Sequence, residues 1–288
     1  MKELCKKIYV WTVQLFQSVV SLVSVSLFSS RKAARSLSRL SSQEKVGSCI
    51  VLGNGPSLKG VLENDLSFFK CYDCVAVNTF CNNEAFSFIH PKYYVLTDPA
   101  FFDDHVLDKR VLDIQGQVVS GLGKVYWEMV LFLPSINRGS KMIQQFKNGH
   151  IRFVFYNLTP VDGFLSLQHW FFKKNLGMPM AMNVLCASTF LMINLGYQDI
   201  YLLGADHSWL ESFYVNDNNE VILGDRHFYG EQAVKCPSTL SQWLFNVATG
   251  FKTHERISEY AKYRGVNIYN ATKGSYIDAY TRRELPGI

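Results

Sequence analysis

A glycine-rich turn directly behind a short apolar strand most strongly limits how this 288-residue chain can fold. The strand is Cys-Ile-Val-Leu at 49–52, and Gly-Asn-Gly-Pro-Ser follows it at 53–57. Glycine lets the backbone turn where a Cβ would clash, and proline fits the first turn of a helix. The order of strand, turn and helix predicts a unit whose helix start can bind a phosphate through its N–H groups. The alternative is an ordinary strand-to-helix turn, because the run matches neither a Walker loop nor GxGxxG.

Short apolar strands alternate with helical stretches over the rest of the chain. The predicted strands are Ser48–Leu52, Asp73–Val77, Tyr93–Leu96, Arg152–Phe155, Asp199–Leu203 and Val266–Tyr269. Helices are predicted around Ser67, over Gly139–Lys147, over Asn183–Leu195 and over Thr253–Arg264, the last ended by Gly265. This alternation predicts an α/β fold, a Rossmann-like and mostly parallel sheet with helices on both faces, over residues 46–288.

A polar and aromatic stretch, Ser208–Cys236, interrupts this alternation. It contains an evident turn at Asp217–Glu220 and, at most, a short strand at Val221–Leu223. Long excursions of this kind often form lids or binding loops. We therefore predict a lid-like segment over residues 208–236.

The amino-terminal 45 residues have a different composition from the rest of the chain. Residues 8–30 are uncharged and largely apolar, although serines and glutamines interrupt them, and basic residues flank both ends. Arg31–Leu40 has the pattern of a basic amphipathic helix. We predict that residues 1–45 form a membrane-associating helix and a basic linker, lying on the membrane or anchored in it once. The alternative is a helix that packs on the protein's own core or on a partner subunit.

Charge and cysteine content limit the partners and the compartment. The net charge of +5 is mild and lies mostly in the amino-terminal region, which predicts one local anionic partner and no nucleic acid. Seven cysteines, an odd number, favour a reducing compartment over a disulfide scaffold. Cys71 and Cys74 have CxxC spacing, but no second pair completes a zinc site. These features predict a protein at the cytoplasmic face of the inner membrane.

Polar residues follow four of the predicted strands at their carboxyl ends. They are Asn54, Asn78, Asp98 and the pair Asp206-His207. Ligands bind in open α/β sheets at this edge, so four such positions predict a common cleft. Each residue is also of a type that caps turns locally, which is the alternative interpretation.

Several motifs resemble the bacterial lipooligosaccharide sialyltransferases, which use a CMP-activated sugar. The similar segments are Gly53–Lys59, Val77–Phe80, Thr97–Phe102, Asn194–Asp206 and Asn267–Ser275. The resemblance runs with gaps from residue 49 to 275. It extends to a broader domain family with motility-associated glycosyltransferases and an archaeal pterin pyrophosphokinase.

This resemblance implies a nucleotide pocket. Asn54 with the backbone of Gly53 and Gly55 would hold the phosphate and ribose, and Asn78 would contact the base or ribose. The chain departs from the family at two places. Asp98 stands where the family has an asparagine, and Asn183-Val-Leu185 stands where the family has a Thr/Ser-Ser/Thr-Gly triplet. The chain would then share its nucleotide pocket with the family but transfer a different sugar, for example another keto-sugar acid. A donor activated by UDP or GDP also stays open. The full predicted set is Gly53, Asn54, Gly55, Pro56, Ser57, Asn78, Asp98, Asn183 and Asp206.

An inverting transfer to a hydroxyl needs a base and help for the departing phosphate. Histidine suits the first task because its pKa lies near physiological pH. His227 and His254 rank level as the base, and His207 ranks third. The leaving phosphate would be neutralised or hydrogen-bonded by Tyr214, Arg226 and Tyr229, as lid tyrosines do in the resembled family. The alternative is that these residues pack an aromatic loop at the surface.

The sequence therefore predicts a glycosyltransferase that moves a sugar from a nucleotide donor, CMP favoured, to a cell-surface glycan or lipid-linked acceptor. No DxD pair stands in the usual setting, so no metal and no cofactor are predicted. Two alternatives stay open. One is a pyrophosphokinase-like enzyme with Mg²⁺ on Asp98 and Asp206. The other is a non-catalytic nucleotide-sugar-binding component of a polysaccharide assembly complex.

Overall fold

Two sheets organise the chain, whose computed structural model describes residues 1–41, 46–63, 66–227 and 230–285. Its strands are β1 (Val46–Leu52), β2 (Asp73–Val77), β3 (Tyr93–Val95), β4 (Met129–Pro134), β5 (Ile151–Tyr156), β6 (Tyr197–Leu203), β7 (Phe213–Val215), β8 (Val221–His227), β9 (Gly230–Lys235), β10 (Asn267–Asn270) and β11 (Thr281–Arg282). The large sheet has the order β11-β10-β6-β1-β2-β3-β4-β5, and every neighbouring pair is parallel. The strands β7, β8 and β9 form a separate antiparallel sheet.

Helices cover both faces of the parallel sheet. They are α1 (Lys2–Phe28), α2 (Arg31–Leu40), α3 (Leu58–Leu62), α4 (Phe86–Ile89), α5 (Lys109–Gly123), α6 (Lys141–Gln145), α7 (Leu165–Lys173), α8 (Val184–Leu195) and α9 (Leu240–Arg264). Side chains of β1 alternate between two cores, with Cys49 and Val51 in the first and Ile50 and Leu52 in the second. A strand buried on both faces is typical of a parallel sheet. The predicted fold class is confirmed.

The helix α8 shows why the sequence folds this way beside the site. All of its residues are buried, as expected for a helix that is apolar on every side. Asn183 begins it, because its side chain accepts a hydrogen bond from the Cys186 N–H at 3.0 Å. Gly196 ends it with a φ of 96°. The predicted helix is confirmed, and its cap places the Asn183 amide at the carboxyl edge of the sheet.

The helices and strands that were not predicted are β4, β7, β9, β11, α4, α5 and α7. The α5 sequence contains three glycines, which weaken its helical pattern. Packing explains one of them, because a Cβ at Gly121 would lie 2.9 Å from Cys81 Sγ. The helix α9 also begins earlier than predicted, at Leu240, although it ends at Gly265 as expected.

The predicted excursion leaves the parallel sheet after β6. It opens with a single 3-10 turn, Ser208–Glu211, and continues as the antiparallel sheet. The strand expected at Val221–Leu223 extends to His227. Whether the segment moves as a lid stays a prediction.

The amino-terminal helices pack on the domain. In α2, Ala33, Ala34 and Leu37 are buried, and Leu37 belongs to the first core. Asn157, just beyond β5, holds the corner between α1 and α2, because its Oδ1 accepts the Ser30 N–H at 2.8 Å. Residues 1–41 are therefore in contact with the sheet domain.

Candidate functional site

Four neighbouring strand ends form one edge of a cavity. In the sheet β6, β1, β2 and β3 are successive neighbours, and β1 is where the strand order reverses direction. The cavity has a volume of about 420 Å³. Its polar lining includes Asn54, Asn78, Asp98, Asn183, Asp206 and His207. The structure thus brings together all four polar strand ends that the sequence singled out.

The glycines of the turn allow β1 to approach β6 closely. The Gly53 N–H donates to the Leu203 carbonyl at 2.7 Å, and the Gly55 N–H donates to the Gly204 carbonyl at 2.9 Å. A Cβ at Gly53 would lie 2.3 Å from the Gly204 oxygen. The two N–H groups expected to hold a phosphate are therefore already bound to the neighbouring strand end. Of the turn, Asn54, Gly55 and Pro56 line the cavity.

A carboxylate of the protein itself occupies the helix start behind the turn. Asp206 accepts the Ser57 N–H at 3.1 Å through Oδ1 and the Ser57 hydroxyl at 2.8 Å through Oδ2. Burial raises the pKa of Asp206, and its bonds to Ser57 oppose this rise. The anion site that the sequence predicted at Ser57 is thus filled by Asp206. A Cβ at Gly55 would lie only 1.9 Å from Asp206 Oδ2. A side chain at position 55 would therefore collide with the carboxylate that binds Ser57, which explains the glycine.

Two asparagines stand at the centre of the cavity edge. The Asn54 amide donates to the Val77 carbonyl and to the Thr79 hydroxyl, both at 3.4 Å. Asn78 has a φ of 49°, and its Oδ1 is buried with no hydrogen-bond partner among the described residues. Buried amide oxygens are normally satisfied. A ligand N–H or O–H in the cavity would satisfy this one.

Asp98 has a structural contact at the opposite end of the cavity edge. Its Oδ1 accepts the Ala100 N–H at 2.9 Å and caps the 3-10 helix Pro99–Phe102. This is the local capping role that the sequence left open as the alternative. Asp98 also lines the cavity.

Two buried histidines are in contact beside the cavity. His207 lines the cavity, and its Nε2 lies 3.0 Å from Nε2 of His254 and 3.1 Å from Nδ2 of Asn183. His254 is fully buried, with its Nδ1 2.9 Å from the Tyr280 hydroxyl and its Nε2 3.5 Å from Cys186 Sγ. Because His254 has no exposed surface, it reaches the cavity only through His207.

The hydrogen-bond network assigns the protons of this pair. Asn183 Oδ1 accepts from the Cys186 N–H, so its Nδ2 is the donor that faces His207. His207 Nε2 is then an acceptor, and the neutral ring carries its proton on Nδ1. Nδ1 of His207 has no protein hydrogen-bond partner in the described part of the chain. A neutral imidazole with a free Nδ1–H is a hydrogen-bond donor at the cavity wall.

Burial keeps both rings uncharged. It lowers the pKa of His254 to about 3. Burial, with the neighbouring His254, holds the pKa of His207 well below the ordinary histidine value. Neither ring gains a proton in the folded protein near neutral pH.

We expect acid to destabilise the protein through this pair. Below the unfolded pKa of about 6.5 the unfolded chain takes up protons that the folded rings refuse, so stability falls as the pH falls towards 3. For His254 the loss between pH 7.5 and pH 5 is about 2 kcal/mol. Urea unfolding of the wild type and His254→Gln at both pH values measures it. Equal pH slopes in the two proteins would contradict the buried, neutral His254.

The remaining predicted side chains are not brought to the cavity by the described part of the structure. Tyr214 lies on β7, is 58% exposed and does not line the cavity. The backbone of Arg226 and His227 belongs to β8, but their side chains, and Tyr229 as a whole, lie outside the described residues.

A second chamber adjoins the first and was not predicted. It has a volume of about 340 Å³ and shares Met182, Asn183, Trp209 and Gly224 with the cavity. Trp209 packs on the His207 ring, with centroids 4.4 Å apart. Trp243, from α9, also lines the chamber. The chamber is mainly apolar, and two of the residues that it shares with the cavity, Asn183 and Trp209, contact His207.

Sequence comparison identifies no relatives. No family model matches the chain, and no curated protein matches it.

Structural comparison finds a fold-level likeness to the MAf glycosyltransferase from Magnetospirillum magneticum AMB-1, with a TM-score of 0.48 and 14% sequence identity. The match covers 91% of this chain but spans only 39% of the length of that protein. A likeness at this level assigns neither a family nor an activity to the chain.

Proposed function

We propose that this protein is a glycosyltransferase that moves a sugar from a nucleotide-activated donor, CMP favoured, to a glycan or lipid-linked acceptor. The observation that carries the proposal is a single cavity at the reversal point of a parallel sheet, lined by amides, carboxylates and a neutral imidazole. Its volume of about 420 Å³ lies in the range of small-molecule sites. The motif resemblance in the sequence supports the choice of a sugar donor.

The nucleotide is proposed to lie over the ends of β1 and β2. The unsatisfied Oδ1 of Asn78 would accept a hydrogen bond from the base amino group or a ribose hydroxyl of the donor. Asn54 and Pro56 line the same wall. Because the Gly53 and Gly55 amides are occupied, the phosphate would be held by side chains rather than by the turn.

His207 is proposed to assist the leaving phosphate. Its Nδ1–H would donate a hydrogen bond to the phosphate oxygen as the bond to the sugar breaks, and a neutral imidazole can act as such an electrophile. His254 and Asn183 would hold the ring and its tautomer through Nε2. The acceptor proton would be taken by His227, because His254 is sealed in the core.

The adjoining chamber is proposed to receive the acceptor. It shares Asn183 and Trp209 with the donor cavity, so a hydroxyl held there lies next to the same histidine. Tryptophan faces bind sugar rings and apolar groups well because they are large and rigid. A glycan end or the apolar part of a lipid-linked acceptor fits this lining.

The pyrophosphokinase alternative has less support from the geometry. Asp98 accepts the Ala100 N–H through one oxygen, and both oxygens of Asp206 bind Ser57. Among the described residues, no group of three or more His, Cys, Asp or Glu side chains is placed to hold a metal ion. A magnesium ion on Asp206 would compete with the Ser57 contacts, whereas Oδ2 of Asp98 takes no part in its cap.

A thermal-shift screen tests the donor site. We expect CMP at a hundredfold excess over its Kd to raise the melting temperature by about 5 °C or more, without Mg²⁺. Asn78→Gly, which keeps the positive φ and removes the amide, should lose this shift. Asn219→Gly is the matched control, because Asn219 has a φ of 57° and lies in the turn between β7 and β8.

Other outcomes decide between the alternatives. A shift by ATP only with Mg²⁺ would move the assignment to phosphoryl transfer, and selectivity for UDP or GDP would reject the CMP donor. Tight CMP binding with no CMP release from any CMP-sugar, across a panel of acceptors, would identify a non-catalytic binding protein. A protein that no nucleotide stabilises would overturn the proposed site.

A further inference from the structure

The helix α1 has an unusual distribution of polarity. Its large apolar side chains are exposed, including Phe16 at 69%, Val19 at 50% and Val23 at 52%. Its buried residues are mainly serines, Ser18 and Ser21, together with Val25. A helix on a water-soluble surface has the opposite arrangement, with its apolar face inward. We therefore expect the outer face of α1 to contact an apolar surface rather than water.

Hydrogen bonds fix the inner face of α1 to the loop before α7. Ser18 Oγ accepts the Phe164 N–H at 2.9 Å, and Ser21 Oγ accepts the Asp162 N–H at 2.8 Å. A Cβ at Gly163 would lie 2.5 Å from the Ser18 nitrogen, so the two backbones touch. The serines that interrupt the apolar segment in the sequence are thus its docking contacts.

The width of the apolar face indicates lipid rather than a second helix. At 100° per residue, the exposed apolar positions spread over about 260° of the helix circumference, which is nearly all of it outside the docked strip. They are Leu4, Ile8, Tyr9, Val10, Trp11, Leu15, Phe16, Val19, Val20, Leu22, Val23, Leu27 and Phe28. A single helical partner would cover only a narrow seam of this surface. A bilayer can cover all of it.

Basic residues on the next helix, α2, indicate that the lipid headgroups are anionic. On α2, the side chains of Arg31, Lys32, Arg35 and Arg39 lie on the exposed side opposite the buried residues. None of them pairs with a carboxylate of the described residues. Unpaired basic residues beside an apolar helix attract anionic headgroups.

The docked geometry also opposes a membrane-spanning arrangement. Within the described ranges, α1 alone has the length and composition of a membrane-crossing helix, about 40 Å at 1.5 Å per residue. Over its second half, however, it lies against a loop whose Asp162 pairs with Arg256 at 2.8 Å. A spanning α1 would carry this ion pair into hydrocarbon or break the serine contacts, and both are costly.

We propose that α1 lies in the plane of an anionic membrane, bound to it by its apolar outer face while its serine face stays docked on the domain. Vesicle flotation of the full-length protein tests this. It should float with phosphatidylcholine vesicles that contain 30% phosphatidylglycerol, and much less with phosphatidylcholine alone. The triple variant Phe16→Ser, Val19→Ser, Val23→Ser should bind at least tenfold more weakly.

A matched control removes three exposed apolar side chains elsewhere. Phe88→Ser, Leu107→Ser, Ile136→Ser changes residues that are 67%, 93% and 75% exposed and should bind like the wild type. Failure of the wild type to float on anionic vesicles would overturn the proposal. So would a discrete dimer in light scattering that the α1 triple variant makes monomeric, because a second copy would then be the occupant.

Cysteine labelling separates the in-plane from the spanning arrangement. Cys5 and Cys71 are exposed, and the other five cysteines are buried. In membrane vesicles from cells that express the protein, Lys6→Cys in a Cys5→Ser, Cys71→Ser background is compared with Cys5→Ser alone. If α1 lies in the plane, an impermeant maleimide reaches Cys71 and the introduced cysteine from the same side. Labelling from opposite sides would show that α1 spans the bilayer.

Discussion

Replacing His207 by alanine is expected to lower turnover by about 100-fold or more, the usual effect of removing one donor to a developing charge. His207 is the candidate histidine whose side chain lines the cavity in the described part of the chain, and its Nδ1–H has no hydrogen-bond partner among the described residues. The loss should appear in kcat more than in KM, because the bond to the phosphate strengthens as negative charge develops.

The His207→Asn variant distinguishes a hydrogen-bond donor from a base. Asparagine tolerates the positive φ of 53° at this position and places an N–H donor near the site of Nδ1. It should therefore recover a measurable part of the activity that His207→Ala loses. A base could not be replaced in this way, so equal loss in the two variants would reject the donor role. His150→Ala, at an exposed ring paired with Glu128, is the control and should stay active.

The pH dependence of the same variants locates the base. The His207→Asn enzyme should keep the acidic limb of the wild-type pH–rate profile, since His207 is neutral throughout that range. If His227 takes the acceptor proton, His227→Ala should lose that limb. A His227→Ala enzyme with normal turnover would show that the base lies elsewhere.

Gly53→Ala is expected to destabilise the fold by about 3 kcal/mol or more, a size that strain in a packed core can reach. The new Cβ would meet the Gly204 carbonyl carbon at 2.9 Å and its oxygen at 2.3 Å. Both partners are backbone in the centre of the sheet, so neither can rotate away. Relief would require β1 and β6 to separate.

Gly116→Ala is the matched control for this substitution. Gly116 lies inside α5, and a Cβ there would have nothing within 4 Å. Alanine should stabilise that helix by about 0.5–1 kcal/mol. Urea unfolding with a shared m-value compares the two variants. A Gly53→Ala protein as stable as the wild type would show that β1 and β6 do not meet as closely as described.

Local patterns predicted most of the sheet because its strands are short apolar runs bounded by turns. Asp73–Val77 was predicted to the residue, and β6 began two residues earlier than expected. The helices α5 and α7 were missed because glycines and aromatic residues obscure their periodicity. Their stability comes from packing on the sheet, which no local window contains.

The site was predictable only where topology alone decides it. Parallel strands end at one edge, so Asn54, Asn78 and Asp98 could be placed together from the chain order. That the N–H groups of the glycine turn are already hydrogen-bonded could not be predicted. The oxygens that accept from them belong to residues about 150 positions later in the chain. The contact of His254 with Tyr280 depends in the same way on the carboxyl-terminal segment. The ranking of His254 level with His227 as the base followed from its sequence position, without knowledge of its burial.

The pairing of β1 with β6 has a consequence for how the protein matures. Val51 pairs with Leu202, and every residue between them must be synthesised before this pair can form. Closing so long a loop delays folding, and parallel pairings of distant strands are slow. Until then the central strand has only half of its neighbours, and its apolar faces are vulnerable to aggregation. The cavity lies across the ends of this pair, so it can form only after the two strands have met, and any nucleotide binding there would report that the centre of the sheet has folded.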